Sequence, residues 1–167
     1  MSIRIGYGYD VHRLTEGRPF WLGGIEIPHE RGAHGHSDAD VLLHAICDAL
    51  LGALALGDIG THFPDTDPAY EGIASTVFLQ KTMDLIRTHG YEVVNLDSTI
   101  CLQAPKIAPR IPEMRRHIAT VLAVDPSFVS VKATTEEGLG ISGREEGVSA
   151  TAVVLFRQIH AYTAPND

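Results

Sequence analysis

The segment from His34 to Asp48, with the sequence HGHSDADVLLHAICD, places the strongest constraint on how this chain can fold. It contains three histidines and three aspartates, and it leads into an apolar stretch that continues to Leu56. A helix that is apolar nearly all round has to be buried. Within it, Asp40, His44 and Asp48 recur every four residues and so share one face. Because buried polar side chains need partners, we expect polar or charged groups against that face.

A second polar cluster near the N-terminus favours a metal site. Asp10 and His12 follow an apparent strand from Ile3 to Tyr9, and alternation along an extended chain puts them on one face. Together with His44 they form a nitrogen and oxygen ligand set suited to zinc, with a fourth position open for water or substrate. A lone buried histidine would instead be interpreted as a hydrogen-bonded core residue, so the metal hypothesis depends on the two clusters meeting.

Composition limits the class of protein. With 167 residues and 44% hydrophobic content, the chain is expected to form one domain over residues 1–157, followed by a tail at residues 158–167. A net charge of −8 argues against a nucleic-acid surface, which needs clustered Lys and Arg. The apolar run from Val41 to Leu56 is too short and too polar to span a membrane.

The cysteines and the N-terminus indicate a compartment. Cys47 and Cys101 lie in helix and strand patterns, which is typical of buried thiols in a reducing environment rather than of a disulfide framework. The sequence MSIRIGYGYDVH enters a strand pattern directly, without a signal peptide. We therefore expect a cytoplasmic protein of bacterial type.

Periodicity predicts an α+β fold. Ser37 and Asp40 have the spacing of a capping box, so the first helix is predicted to begin there and to end near Leu56. The segment from Pro28 to Ser37 is predicted to be a loop, and His62–Pro68 reads on composition as an ordinary solvated loop. The remaining predicted elements are a hairpin at 20–27, helices at 75–89 and 111–122, and strands at 91–102, 129–133 and 148–156.

This order predicts a two-layer sandwich, in which a mixed four-stranded sheet carries three helices on one face, beside a small β-hairpin. In the strand at 91–102, Val94, Leu96, Ser98 and Ile100 are expected to share a face. The last strand is nearly continuous in Ala, Val and Leu and is expected to be central. Since no helices remain to cover the other sheet face, we expect an oligomer packed through it.

Several strings resemble one family along nearly the whole chain, from Ile3 to Phe156. The strings IGYGYDVH, HGHSDADVLLHAICDALLGALALGDIG, FPDTDP, QAPKI and VKATTEEGLG are similar to the 2-C-methyl-D-erythritol 2,4-cyclodiphosphate synthases of the non-mevalonate isoprenoid pathway. The resemblance implies a homotrimer with active sites shared between neighbouring subunits, and this agrees with the uncovered sheet face.

The resemblance also implies roles for individual residues. Asp10, His12 and His44 match zinc ligands, and Glu137 matches the ligand of a second ion, Mg²⁺ or Mn²⁺. His36 and Thr135 match residues that stabilise the transition state. The matched substrate-binding residues are Ser37, Asp58, Ile59, Gly60, Phe63, Pro64, Asp65, Thr66 and Asp67 around the phosphates and the methylerythritol, and Leu102, Gln103, Ala104, Pro105, Lys106, Ile107, Ala108 and Thr134 in a cytidine pocket from the adjacent subunit.

The implied reaction is a lyase-type cyclisation of 4-diphosphocytidyl-2-C-methyl-D-erythritol 2-phosphate that releases CMP. The nucleophile is already an anion, so no Ser or Cys nucleophile is required, and metal ions would neutralise the two phosphates. One departure is Ile141, where many family members carry Phe. With Arg144 it is expected to line an apolar cavity on the trimer axis, where an isoprenoid diphosphate would be held differently.

Two other functions stay open at this point. A zinc-dependent phosphohydrolase could use Asp10, His12 and His44 to activate water. A non-catalytic trimeric scaffold could use the same residues only to stabilise an interface. The cytidine-like segment around Lys106 and the lack of a general base beside the ligand trio argue against the hydrolase.

Overall fold

The structure, a computed structural model, describes residues 2–159 and consists of a five-stranded sheet, a two-stranded hairpin and a layer of helices. The strands are β1 (Ile3–Glu16), β2 (Phe20–Leu22), β3 (Ile25–Ile27), β4 (Arg31–Ala33), β5 (Tyr91–Cys101), β6 (Val129–Thr134) and β7 (Gly147–Gln158). The helices are α1 (Val41–Ala53), α2 (Ile59–His62), α3 (Ser75–Thr88), α4 (Ile111–Leu122) and α5 (Gly140–Gly143). Short 3₁₀ turns lie at Pro68–Tyr70, Ala108–Arg110 and Pro126–Phe128.

The α+β sandwich predicted from the sequence is confirmed. The large sheet has the order β4-β1-β7-β5-β6, in which β5 and β6 are parallel and the other pairs are antiparallel. As expected, β7 is central, and the hairpin of β2 and β3 forms around Gly23 and Gly24. Helices α1, α3 and α4 pack on one face of the sheet. Of the predicted tail, residues 160–167 lie outside the described residues.

The sheet has one strand more than the four predicted. The segment predicted to be a loop from Pro28 to Ser37 contains β4, which pairs with the end of β1 from Leu14↔Ala33 to Glu16↔Arg31. Its sequence Arg-Gly-Ala lacks the β-branched and aromatic residues that mark strands. The pairing depends on close packing, because a Cβ on Gly32 would lie 2.2 Å from the carbonyl oxygen of Pro19.

Strand β1 is twice as long as its predicted core and carries the N-terminal polar cluster within it. Pairing with β7 runs from Ile3↔Arg157 to Arg13↔Gly147 without interruption. Asp10 and His12 therefore lie in the sheet rather than beyond its edge. Gly6 and Gly8 precede them at alternate positions, so all four residues face the helical layer.

The two glycines explain why α1 lies so close to β1. A Cβ at Gly6 would lie 1.8 Å from the carbonyl oxygen of Ala49, and one at Gly8 would lie 1.9 Å from that of Ala45. Only glycine leaves room for the helix backbone at this distance. The close approach places His44 of α1 directly beside the next inward-facing residue of β1, Asp10.

The start and end of α1 differ from the prediction. Asp40, not Ser37, is the N-cap, and its side chain accepts the amide proton of Leu43. The Ser37 hydroxyl instead accepts the amide proton of Ala39, two residues later, in a local turn. The helix ends at Ala53 rather than near Leu56, because Ala55 adopts a positive φ of 57°.

A β-bulge in β5 changes which residues face the core. The register shifts between Val93 and Asn95, so that Val93 is buried and Val94 is not. The predicted alternation holds after the bulge, where Leu96, Ser98 and Ile100 are buried. In β6, Val129 and Val131 are buried and Ala133 is exposed.

The outer face of the sheet is apolar and uncovered in the single chain. The side chains of Ile3, Ile5, Tyr7 and Tyr9 alternate along β1 and are 48% to 70% exposed. Monomeric proteins rarely expose so many large apolar side chains together. Among residues 2–159, no helix is long and apolar enough to cross a bilayer.

Candidate functional site

Three side chains meet where β1 and α1 are closest. Oδ2 of Asp10 lies 2.9 Å from Nε2 of His12 and 3.0 Å from Nδ1 of His44, and the two ring nitrogens are 3.1 Å apart. A tetrahedral zinc ion, with bonds of about 2.0–2.2 Å, separates its ligand atoms by roughly 3.3–3.5 Å. A small outward movement of the three side chains would therefore admit the ion, and the grouping is suited to a divalent metal.

The electrostatics of this cluster favour the charged carboxylate. Burial by itself would raise the pKa of Asp10, but hydrogen bonds and charge interactions with His12 and His44 hold it well below its usual range. Burial would lower the pKa of His12, and the hydrogen bond and charge of Asp10 raise it instead. Asp10 thus offers an anionic oxygen, which is the form that binds a cation.

Each histidine is oriented through its second ring nitrogen. Nδ1 of His12 donates to the backbone carbonyl oxygen of His34 at 2.9 Å, so the neutral ring presents the lone pair of Nε2 to the cluster. Nε2 of His44 lies 2.8 Å from the hydroxyl of Ser75 at the start of α3. The Ser75 hydroxyl in turn contacts a carboxylate oxygen of Asp38. Metal-binding histidines commonly have such outer partners.

Asp38 and Ser75 were not identified from the sequence. Asp38 stands inside the polar segment between Ser37 and Asp40, so its residue type was visible. Ser75 begins a helix 31 residues beyond His44, and no local spacing connects the two. Only the packing of α3 against α1 brings them together.

The polar face of α1 has three different partners, which accounts for the buried polar residues in its sequence. Asp40 is fully buried and accepts amide protons from Gly23 at 2.9 Å and Gly24 at 2.6 Å. Burial raises the pKa of Asp40, and these donors oppose that rise. Asp48 accepts the amide proton of Ile59 at 2.8 Å. Asp40 therefore holds the hairpin in place and Asp48 holds α2. Of the three, only His44 belongs to the metal cluster, which consists of Asp10, His12 and His44.

A pocket of about 410 Å³ opens beside the metal cluster. His12 and His44 form one wall, and Nε2 of His36 donates to the backbone carbonyl oxygen of Asp67 at 3.2 Å. Of the predicted site residues, the pocket is lined by His36, which was matched to transition-state stabilisation, and by the substrate-binding residues Ser37, Ile59, Gly60, Phe63, Pro64 and Asp65. Asp58 caps α2 through Thr61, and Asp67 caps the following 3₁₀ turn.

The segment from His62 to Pro68 is more than a solvated loop. The ring of Phe63 stacks on Phe78 of α3, with centroids 4.9 Å apart, and meets Tyr70 edge to face at 5.7 Å. These aromatic contacts anchor the segment on the helical layer beside the pocket. Phe63 thus contributes to both the core packing and the pocket wall.

A second pocket of about 210 Å³ lies where β5 and β6 end. The predicted cytidine-binding residues that line it are Leu102, Gln103, Pro105, Lys106, Ile107, Ala108 and Thr134, and Ala133 and Thr135 complete it. The peptide bond between Ala104 and Pro105 is cis. Among the described residues, none lines both this pocket and the one beside the metal cluster.

The other predicted site residues lie on the surface. Thr135 and Glu137 are exposed after β6, and Glu137 has a positive φ of 55°. Ile141 is 46% exposed in α5. Arg144 follows it, and its Nε donates to a carboxylate oxygen of Glu146 at 2.8 Å. None of these residues belongs to the group of Asp10, His12 and His44 or lines the pocket beside it.

Comparisons with known proteins agree on one family. A family model described as the YgbB family matches residues 3–157. A curated relative from Syntrophomonas wolfei, named 2-C-methyl-D-erythritol 2,4-cyclodiphosphate synthase, is 60% identical over 156 residues, which are 93% of this chain and 99% of the relative.

Solved structures agree with the same family. One structure, titled as a 2C-methyl-D-erythritol-2,4-cyclodiphosphate synthase in a CDP-bound form, is 41% identical, covers 92% of this chain and all of its own, and has a TM-score of 0.86. The bifunctional IspDF from Campylobacter jejuni is 40% identical with a TM-score of 0.90. That match covers 94% of this chain and 42% of the bifunctional chain.

Proposed function

The chain belongs to the YgbB family, and from this we propose that residues 1–157 form one synthase domain with the activity for which its curated relatives are named. In this proposal the protein converts 4-diphosphocytidyl-2-C-methyl-D-erythritol 2-phosphate to 2-C-methyl-D-erythritol 2,4-cyclodiphosphate and CMP. The observation that carries the proposal is the convergence of Asp10, His12 and His44 beside a pocket that is large enough for a small ligand and is lined by the two histidines.

Asp10, His12 and His44 hold a zinc ion in this proposal. The anionic oxygen and the two oriented ring nitrogens supply the ligand types that zinc prefers. Glu137 holds a second divalent ion, Mg²⁺ or Mn²⁺, for which an exposed carboxylate is a suitable ligand. When bound, the ions neutralise phosphate charge and align the reacting groups.

The reaction needs positioning more than a strong base. The 2-phosphate oxygen forms a bond to the β-phosphorus, the bond from that phosphorus to the bridging oxygen breaks, and CMP leaves with the bridging oxygen. His36 and Ser37 line the pocket where phosphates would lie, and Thr135 supplies a hydroxyl from the second pocket. Holding both groups of one molecule together contributes up to ~7–11 kcal/mol in well-oriented systems.

The proposed active site is shared between subunits of a homotrimer. The pocket beside the metal cluster and the pocket containing Lys106 have no lining residue in common. A structure of a relative is known in a CDP-bound form. The exposed apolar side chains of β1 offer the surface for assembly. We assign Leu102–Ala108 and Thr134 to the cytidine side, contributed by the neighbouring subunit. Asp58–Gly60 are assigned to the methylerythritol side, with Phe63–Asp67 beside them.

The axial end of such a trimer would contain Ile141 and Arg144. Both side chains are about half exposed in the single chain, so they are accessible to line a cavity between three copies. In this proposal the cavity accepts an isoprenoid diphosphate, with Ile141 supplying aliphatic rather than aromatic contacts.

Phosphorus NMR of the protein with the cytidyl substrate, zinc and magnesium tests the reaction. We expect CMP to appear together with a cyclic diphosphate. CMP together with a linear diphosphate or free phosphate would mean that water attacks, and the hydrolase alternative would replace this proposal. No turnover by a folded, metal-loaded trimer would overturn the substrate assignment.

A further inference from the structure

Both ring nitrogens of His44 have polar neighbours, and the position of the ring hydrogen determines which nitrogen donates. Nδ1 faces Oδ2 of Asp10 at 3.0 Å and Nε2 of His12 at 3.1 Å, whereas Nε2 faces the hydroxyl of Ser75 at 2.8 Å. A neutral imidazole carries one hydrogen, so one nitrogen donates and the other has the lone pair. Facing the Asp10 carboxylate alone, Nδ1 would donate to it. With a metal ion held by Asp10, His12 and His44, Nδ1 would present its lone pair instead, and the ring hydrogen would then lie on Nε2, where the neighbouring group has to accept it.

Asp38 decides the direction of the Ser75 hydroxyl. The backbone amide of Ser75 donates to Oδ2 of Asp38 at 3.0 Å, and its hydroxyl makes a short contact with Oδ1 of the same carboxylate. A carboxylate can only accept, so the hydroxyl hydrogen points to Asp38. The lone pairs of the Ser75 oxygen are then available to Nε2 of His44. Ser75 is fully buried, so water does not compete for them.

Neighbouring contacts hold this arrangement in place. The backbone amide of Asp38 donates to the carbonyl oxygen of Ile73 at 3.0 Å, and that of Gly72 donates to the carbonyl oxygen of His36 at 2.8 Å. The segment before α1 is thereby tied to the segment before α3. The Ser37 hydroxyl is the nearest alternative partner, but at 3.3 Å it is farther from Nε2 of His44 than the Ser75 hydroxyl is, and its own hydrogen can be directed at the Ser75 oxygen, 3.4 Å away.

We propose that Asp38 and Ser75 are positioning residues of the metal centre. Asp38 orients the Ser75 hydroxyl, Ser75 accepts the Nε2 hydrogen of His44, and the lone pair of Nδ1 is thereby directed at the metal. His12 has the opposite arrangement, with hydrogen on Nδ1 and the lone pair on Nε2. This inference rests on the proposed function, because it presupposes the metal held by Asp10, His12 and His44.

The tautomers can be read directly in the wild-type protein. Two-bond ¹H–¹⁵N NMR spectra of the zinc-loaded chain, with the ring signals assigned by His12→Gln and His44→Gln variants, report which nitrogen carries hydrogen. We expect hydrogen on Nε2 of His44 and on Nδ1 of His12. Hydrogen on Nδ1 of His44 would overturn the proposal, and this result does not depend on any variant of Ser75 being stable.

Variants of Asp38 and Ser75 test how these two residues affect zinc affinity. Ser75→Ala is expected to weaken zinc binding 10–100-fold in a chelator competition assay, the range typical of outer partners of metal ligands. The absorption spectrum of the Co²⁺-loaded protein should change with it, and Asp38→Asn should have a smaller effect of the same sign. Ser75→Thr retains the hydroxyl and is expected to restore most of the affinity.

Thr76→Ala is the matched control, because it removes a hydroxyl one residue along the same helix. That hydroxyl bonds Nε2 of His117 at 2.9 Å and does not contact His44. Zinc affinity in Ser75→Ala equal to that in Thr76→Ala would overturn the role of Ser75. Zinc binding that survives Asp10→Ala would overturn the metal centre itself, so the two failures are distinguishable.

Discussion

At the scale of single residues, Asp10 is the side chain on which the candidate metal centre depends. Its Oδ2 is the common neighbour of Nε2 of His12 and Nδ1 of His44. Without it, two ring nitrogens face each other with no anion between them. The centre therefore needs this carboxylate both as a ligand and to bring the two rings together.

We expect Asp10→Ala to lose bound zinc and to reduce turnover by more than ~100-fold, beyond the range usual for outer partners of a metal ligand. Metal content by mass spectrometry and the release of CMP measure the two effects. Asp84→Ala, which removes an exposed carboxylate from α3, is the control and should retain both. A variant at Asp10 with a full complement of zinc would refute the assignment.

Asp48 gives a pH-dependent prediction. Burial raises its folded pKa above the unfolded value of about 3.9, so the contribution of Asp48 to the stability of the folded state is largest below the unfolded pKa and is lost as pH rises through the folded pKa. Asp48→Asn removes the charge but retains an oxygen for the amide of Ile59. We expect the variant to have the higher Tm at pH 7.

Calorimetry at pH 7 and near pH 3.5 measures this difference. The Tm advantage of Asp48→Asn over the parent protein should shrink at the lower pH, where Asp48 is mostly protonated in both states. An advantage that is equal at both values, or a lower Tm at pH 7, would contradict the role given to burial.

The thiol of Cys47 should be unreactive in the folded protein. Burial raises its pKa to about 12, so almost no thiolate exists at neutral pH, and the side chain is inaccessible. In a Cys101→Ser background, Ellman's reagent should react with Cys47 only after denaturation. Rapid reaction of the native protein would contradict the burial of Cys47 in α1.

At the scale of elements, the contact between β1 and α1 positions the metal cluster. Gly6 and Gly8 admit the carbonyl groups of Ala49 and Ala45, and the following inward residue, Asp10, then reaches His44. Two glycines on a strand thus set the distance at which a ligand on the strand meets a ligand on the helix.

Gly8→Ala should move α1 away from β1. The added Cβ would lie 1.9 Å from a backbone oxygen, so the loss of stability should be at least the ~1–3 kcal/mol typical of overpacking, together with weaker zinc binding. Chemical denaturation and zinc titration measure these losses. Gly52→Ala adds a Cβ that meets only Tyr7 O at 3.9 Å, and it should be neutral or mildly stabilising.

At the scale of the whole molecule, the outer sheet face is the surface through which we propose that the trimer assembles. Its exposed residues on β1 include Ile5, which is 70% exposed in the single chain. In the proposed trimer this surface is buried, and the two pockets that one chain keeps separate are brought together from neighbouring chains.

Ile5→Asp should therefore convert the trimer to monomers and lower CMP release in parallel, because a charge on an apolar interface is costly to bury. Light scattering after size-exclusion chromatography gives the mass. Phe128→Asp alters another half-exposed apolar residue away from β1 and should leave the mass unchanged. A monomeric Ile5→Asp variant with full activity would contradict a shared site.

Much of the fold and of the candidate metal centre was predictable, for identifiable physical reasons. The bounds of α4 follow from an amphipathic period, and the central place of β7 follows from a nearly continuous apolar run. Asp10 and His12 were predicted on one face because side chains alternate along a strand. Ser37 was wrong as the cap of α1, because several residues there can cap and the chain path chooses among them.

The sequence by itself therefore determined the ligand types, the helices and strands and the family, since these depend on residues close together in the chain or on long strings in register. Only the tertiary structure decided what meets across the layers: the pairing of β4, the bulge in β5, and Ser75 beside His44. Such contacts join residues far apart in sequence, and their distance is set by packing that no local pattern records.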